Sequence, residues 1–187
     1  MKKSKTLVLV AVLVALIASG WRVYSLNEKW PEVAVHKAAP GEVLNIEGLD
    51  YSIERSELHS QEEITQKYGG YVPFQGFPAE DVYEAIIRLN VHNPGSEPRT
   101  VLWPRLVLRS GSWYNGVDLE LLRIIHPELT VDTVVAAGDS LTIDFPVLFL
   151  RERFEPNYSF DLSTKQFSLD MLRYPEYYQL FIPSFEA

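Results

Sequence analysis

The chain has 187 residues, room for one domain and a short extra segment, with 25 acidic against 17 basic side chains and a net charge of −8. It contains no cysteine, which excludes disulfides, thiolate metal sites, thiol nucleophiles and acylation at a lipobox cysteine. The first 20 residues hold three lysines and no acid, so the remainder carries −11, a balance unsuited to nucleic acid or to anionic lipid surfaces.

The N-terminus opens with Lys2, Lys3 and Lys5 and continues as an apolar run from Leu7 to Ala18, with no charge before Arg22. The 16 residues between Lys5 and Arg22 span about 24 Å as a helix, short of the roughly 30 Å hydrocarbon core. That length and the small residues Ala18 and Gly20 fit a signal peptide cleaved before Trp21. Trp21 and Tyr24 fit an interfacial aromatic belt instead, with Lys5 and Arg22 snorkelling, as in an uncleaved anchor. On either reading the basic start keeps the N-terminus inside and places the rest outside the cytoplasm. The expected organisation is a basic cytoplasmic start over 1–5, a transmembrane anchor or signal peptide over 6–24, a juxtamembrane linker over 25–40 and a β-sandwich over 41–187. The expected location is the cell membrane, single-pass with the C-terminal domain outside, or the exterior after cleavage near Gly20.

Pro31 and Pro40-Gly41 break the linker. Val43–Ile46 and Leu49–Arg55 read as short strands bent at Gly48, and His59–Asp81 as a long loop with one helical turn. Tyr83, Ala85, Ile87, Leu89 and Val91 alternate with largely polar residues, the period of a half-buried strand. It ends in Asn93-Pro94-Gly95-Ser96-Glu97-Pro98, a turn by composition. Further strands are expected over Val101–Arg109, Thr130–Val135, Ser140–Val147, around Tyr158, Phe160 and Leu162, around Phe167, Leu169 and Met171, and over Tyr177–Ile182 as an edge strand. Leu119–Ile125 fits a strand or a short helix. About seven to nine short strands with frequent turns and little helix indicate an all-β, antiparallel sandwich, preceded by one hydrophobic helix.

Gly41-Glu42 before the first strand, the Asn93–Pro98 turn, and Ala137-Gly138-Asp139-Ser140 before a strand reaching Phe145 resemble the telokin-like, immunoglobulin-like domains of unknown function on exported proteins of Gram-positive bacteria. The likeness spans about residues 41–150 and implies an immunoglobulin-like fold and topology; it brings no catalytic residues.

No recognisable catalytic equipment stands in the sequence, and no cofactor is expected. His36, His59, His92 and His126 are scattered, without metal-ligand spacing. Glu62-Glu63, Glu80-Asp81, Asp118 with Glu120 and Glu152 with Glu155 pair carboxylates without a calcium-loop pattern. No nucleophile elbow or phosphate-cradling loop is present. The segment Tyr68–Pro78 is unusual in placing Tyr68, Tyr71, Phe74 and Phe77 among glycines and prolines. Exposed, such a cluster marks a contact surface; folded back, it caps the sandwich. Tyr174–Phe185 reads as a docked edge strand or a partner-binding peptide. The expected function is a non-catalytic binding or accessory module tethered to the membrane, with an envelope protein as partner and Tyr68, Tyr71, Phe74 and Phe77 as its contacts. An envelope-polymer hydrolase and a structural spacer or stabilising subunit of a membrane complex are the alternatives.

Overall fold

The computed structural model describes residues 2–71, 76–154, 162 and 165–185, with side chains from Val12 onward except that of Phe154. Phe74, the residues around Tyr158 and Phe160, and Glu155 fall outside these. The chain divides into two compact units, residues 1–34 with 173–176, and residues 35–172 with 177–187.

In the first unit, helix α1 runs Lys2–Lys29 without a break. It passes through the expected anchor and into the expected linker. Strand β1 then begins at Ala34, so only four residues separate helix from strand. Among the residues described with their side chains, from Val12 onward, no helix is long and apolar enough to cross a membrane; Arg22, Glu28 and Lys29 interrupt the stretch that begins at Val12. That stretch nonetheless leaves Leu13, Val14, Leu16, Ile17, Trp21 and Tyr24 exposed, and no polar face alternates with them.

The second unit is a β-sandwich. Eleven strands form among the described residues, more than the expected seven to nine, because four have only two or three residues, too few to show a period. They are β1 (Ala34–Ala38), β2 (Leu44–Ile46), β3 (Leu49–Ser60), β4 (Val82–His92), β5 (Arg99–Thr100), β6 (Val107–Ser110), β7 (Trp113–Asn115), β8 (Val134–Val135), β9 (Ser140–Leu150), β10 (Ser168–Arg173) and β11 (Glu176–Phe181). One sheet has the order β1-β11-β10-β6-β7, a second β2-β3-β4-β9, and β5 pairs with β8. The tail strand β11 therefore lies inside its sheet, not at its edge. Leu180 and Ile182 are buried in the core, and Ser56 Oγ donates to the Pro183 carbonyl at 2.9 Å. Through Leu180 and Ile182 the segment is docked on the sandwich, one face against the core.

The alternation in β4 places Ala85, Ile87, Leu89 and Val91 in the main core with Ile143, Phe145, Val147 and Phe149 of β9 and with Leu169 and Met171 of β10. Strand β3 meets β2 through Glu47-Gly48, both at positive φ (55° and 83°), the conformation a two-residue hairpin requires. Pro104 ends the expected strand over 101–109: Trp103–Arg105 is a 3₁₀ turn, and only Val107–Ser110 joins the sheet.

Two short helices form, one where a helical turn is expected within the 59–81 loop and one over 119–125, where the helix reading of that segment holds and the strand reading does not. Helix α2 (Gln61–Lys67) starts with a reciprocal cap: Ser60 Oγ accepts from Glu63 N–H, and Glu63 Oε2 accepts from Ser60 N–H at 2.7 Å. Helix α3 (Leu119–Ile125) is capped by Asp118. Replacing Ser60 with alanine is expected to lower stability by about 0.5–2 kcal/mol in urea unfolding, the usual range for a lost N-cap; a change within error would show that α2 is held by packing alone.

Candidate functional site

Period-2 geometry sends Glu84, Ile86 and Arg88 of β4 to the face opposite the main core. Direct register puts His59 and Glu57 of β3 beside Glu84 and Ile86, and Asp144 of β9 beside Arg88. Alternation alone predicts solvent there. Instead Ile64 of α2, Leu121 of α3, Tyr71 and Ile86 close over it as a second small core, with Tyr68 and Ile125 partly buried against them.

Asp118 holds this layer together. Its Oδ1 accepts from the backbone N–H of Glu120 at 2.9 Å and Leu121 at 3.0 Å. Its Oδ2 accepts from the Tyr71 hydroxyl at 2.5 Å, and its own N–H donates to the Pro146 carbonyl at 2.9 Å. Asn115 Nδ2 donates to the Leu148 carbonyl at 2.8 Å, and Asp144 N–H donates to His126 Nε2 at 2.8 Å. Together these contacts cap the outer edge of β9, which would otherwise offer unpaired backbone groups. Pro146 has no N–H to expose there.

Glu84 lies beneath this layer, fully buried, and both its carboxyl oxygens lack a hydrogen-bond partner. Burial pushes its carboxyl well above the usual range, and the nearby Asp118 charge pushes it further. Burial, then the bond to Asp118, likewise raises the Tyr71 hydroxyl. Around the rim the charges are matched. Arg88 Nε and Nη2 grip Asp144 at 2.7 and 3.0 Å; burial raises the Asp144 carboxyl, but the Arg88 bond and charge outweigh it and hold the group low. Glu57 meets His59 at 3.0 Å, Arg55 at 3.2 Å and Lys67 at 3.6 Å. Burial opposes them, yet these three partners keep its carboxyl below the ordinary range.

Of the sequence-predicted contact residues, Tyr71 is 8% exposed and belongs to the small core. Tyr68 is half-buried on the same cluster, and Phe77 is partly buried. Phe74 lies outside the described residues. The structure thus brings Tyr68 and Tyr71 onto one cluster and gives Tyr71 a bracing role through Asp118. Sequence reading missed a neighbouring apolar cleft of about 330 Å³, lined by Trp103, Leu119, Leu122, His126, Leu129 and Val131. Leu119 and Val131 are exposed at its mouth, and Ile124 is exposed on the same helix; Asp118 ahead of Leu119 was the local signal for that helix. Among the described residues no group of three or more His, Asp or Glu side chains is placed to hold a metal ion.

A family model for a domain of unknown function (DUF5028) matches residues 22–177. The chain belongs to the DUF5028 family. No curated protein matches its sequence. Among solved structures it is similar to an uncharacterised β-sandwich protein from Clostridium difficile 630, at 12% identity and a TM-score of 0.47, covering 81% of this chain and 97% of that one. A conserved hypothetical protein from Bacillus anthracis aligns at 14% identity and a TM-score of 0.48, over 78% and 94%. The ycdA protein of Bacillus subtilis, provisionally described as a lipoprotein, aligns at 12% and 0.47, over 76% of this chain and 38% of its own.

Proposed function

We propose that this DUF5028 protein is a non-catalytic binding or accessory module, tethered by its N-terminal segment to the outer face of a cytoplasmic membrane. The observation that carries the reading is the exposed apolar surface of α1 ahead of a folded acidic body. In sequence the apolar run starts at Leu7 behind three lysines, which orients an inserted helix with its start inside. Burial supports the non-catalytic part: Glu84, whose carboxyl is raised by burial, is sealed under α2 and α3, and Asp170 is buried against Ser168, Tyr177 and Arg109. Neither offers a substrate an approach.

The partner is an envelope protein that contacts the Tyr68–Pro78 segment. Tyr68 and Phe77 reach the surface there, and Tyr71 fixes the segment from beneath. The test is a tagged pull-down of the full chain from detergent-solubilised native membranes, with a Tyr68→Ala/Phe77→Ala variant alongside. A constant partner recovered with the natural chain and lost with the variant is the expected result. Equal recovery by both would move the contact elsewhere, and recovery of nothing by either would overturn the stable-partner reading.

A further inference from the structure

Within the unit formed by residues 1–34 and 173–176, the end of α1 is fastened to the turn between β10 and β11. The rings of Trp30 and Tyr174 lie 5.8 Å apart. Tyr174 Oη donates to the Pro31 carbonyl at 2.7 Å, and Ala34 N–H donates to the Pro175 carbonyl at 2.9 Å. Trp30 N–H donates to the Leu26 carbonyl at 2.7 Å, so the helical bonding reaches Trp30 itself. The pair is well fixed, yet Trp30 is 59% and Tyr174 45% exposed. Two large amphipathic rings held rigidly and left open suit a boundary, with an apolar body on one side and a polar tip for water on the other.

The unbroken helix supplies the ruler. Leu7–Leu26 is 20 residues with Arg22 as its one charge, about 30 Å at 1.5 Å per residue and equal to the hydrocarbon thickness. Trp30 then stands four residues beyond, roughly 6 Å outside the apolar core and within the headgroup layer. Arg22 would lie about 6 Å inside, within reach of the surface by snorkelling. The alternative level, with Trp21 and Tyr24 at the boundary, gives an apolar span of only about 24 Å and lifts Trp30 and Tyr174 into water.

We propose that Trp30 and Tyr174 form an interfacial clasp, seated in the lipid headgroup layer, so that the bilayer surface is the partner of the β10–β11 turn. This rests on the tethered reading above. Residues 21–34 with 173–176 carry Arg22, Lys29 and Arg173 against Glu28, Glu32 and Glu176. That balance means the clasp seats through its aromatics and needs no anionic lipid.

The absence of cysteine allows single labels. Spin labels are placed at Leu16→Cys, Arg173→Cys and Val131→Cys in the full chain, reconstituted in phosphatidylcholine bilayers, and accessibility to lipid-borne oxygen and water-borne nickel is measured. The expected result is hydrocarbon depth at 16, water at 131, and at 173 a shift from nickel towards oxygen that is lost when Trp30→Ser and Tyr174→Ser are added. A label at 173 as aqueous as that at 131, with 16 buried, overturns the clasp and leaves the tether standing. An aqueous label at 16 overturns the tether and the clasp with it. Dipolar broadening between labels at 173 would assign the rings to a second copy of the chain and overturn the lipid contact.

Discussion

Replacing Asp118 with alanine lowers the stability of the sandwich by about 2–4 kcal/mol, the sum of a lost N-cap and an orphaned buried hydroxyl. The cap accounts for the two N–H groups of Glu120 and Leu121, and the hydroxyl is that of Tyr71. Relief of Glu84 opposes part of this loss, since the Asp118 charge contributes to raising that carboxyl. Asp118→Asn separates the two effects: asparagine caps a helix as well as aspartate does, so most stability returns while the charge does not. Urea unfolding of the full chain in mild detergent, followed by tryptophan fluorescence, gives the midpoints. A Tyr71→Phe companion tests the coupling through a double-mutant cycle. If Asp118→Ala shifts stability by less than the Ser60→Ala change, Asp118 does not brace this face.

Removing the buried acid has the opposite sign. Glu84→Met replaces two unpartnered buried oxygens by an apolar chain of similar length and raises stability at neutral pH by about 1–3 kcal/mol. The pH dependence follows from proton counting. Glu84 is raised in the folded state, so from the unfolded carboxyl value of about 4.3 upward the folded protein binds more protons than the unfolded one. Stability therefore falls as pH rises through that window, and it is fully present below it, where Glu84 is protonated in both states. Asp144, Glu57 and Glu63 are held low by their partners, so their contribution is lost as pH falls through the acid range. The two trends together put the stability maximum at mildly acidic pH. Glu84→Gln keeps the shape and removes the titration, flattening the decline above the maximum. A Glu84→Gln variant whose stability tracks the natural chain across pH 5–8 contradicts the assignment.

Local pattern carried the strands that face one continuous core. Alternation in 83–91 and 140–147 predicts β4 and β9 almost to their ends, because one side of each strand meets the other sheet and the opposite side stays largely polar. It failed where a second layer is added from a distance. Glu84 stands at a polar position of β4, and nothing near it in sequence reports that α2 and α3 will cover it. Asp118, its charged neighbour and the partner of Tyr71, lies 47 residues beyond that tyrosine. Two signals were present and local: Ser60-Gln61-Glu62-Glu63 has the spacing of a capping box, and Asp118 precedes a leucine-rich turn. Glycine-rich composition after Tyr68 masked the first, and the double reading of Leu119–Ile125 the second. Asn93 shows the same limit within a correctly placed turn. Its side chain is buried and donates to the Glu97 and Val135 carbonyls at 2.8 and 3.0 Å, a tie that turn composition cannot reveal.

The tether is tested most directly by fractionating the native cells after wall removal, with protease added outside before lysis and the membranes washed at alkaline pH. The account predicts that the unproteolysed chain stays in the washed membrane pellet with residues 1–20 intact. External protease then removes the acidic body while a short N-terminal fragment remains. A body free in the medium and beginning at Trp21, or a chain shielded from external protease, would contradict it.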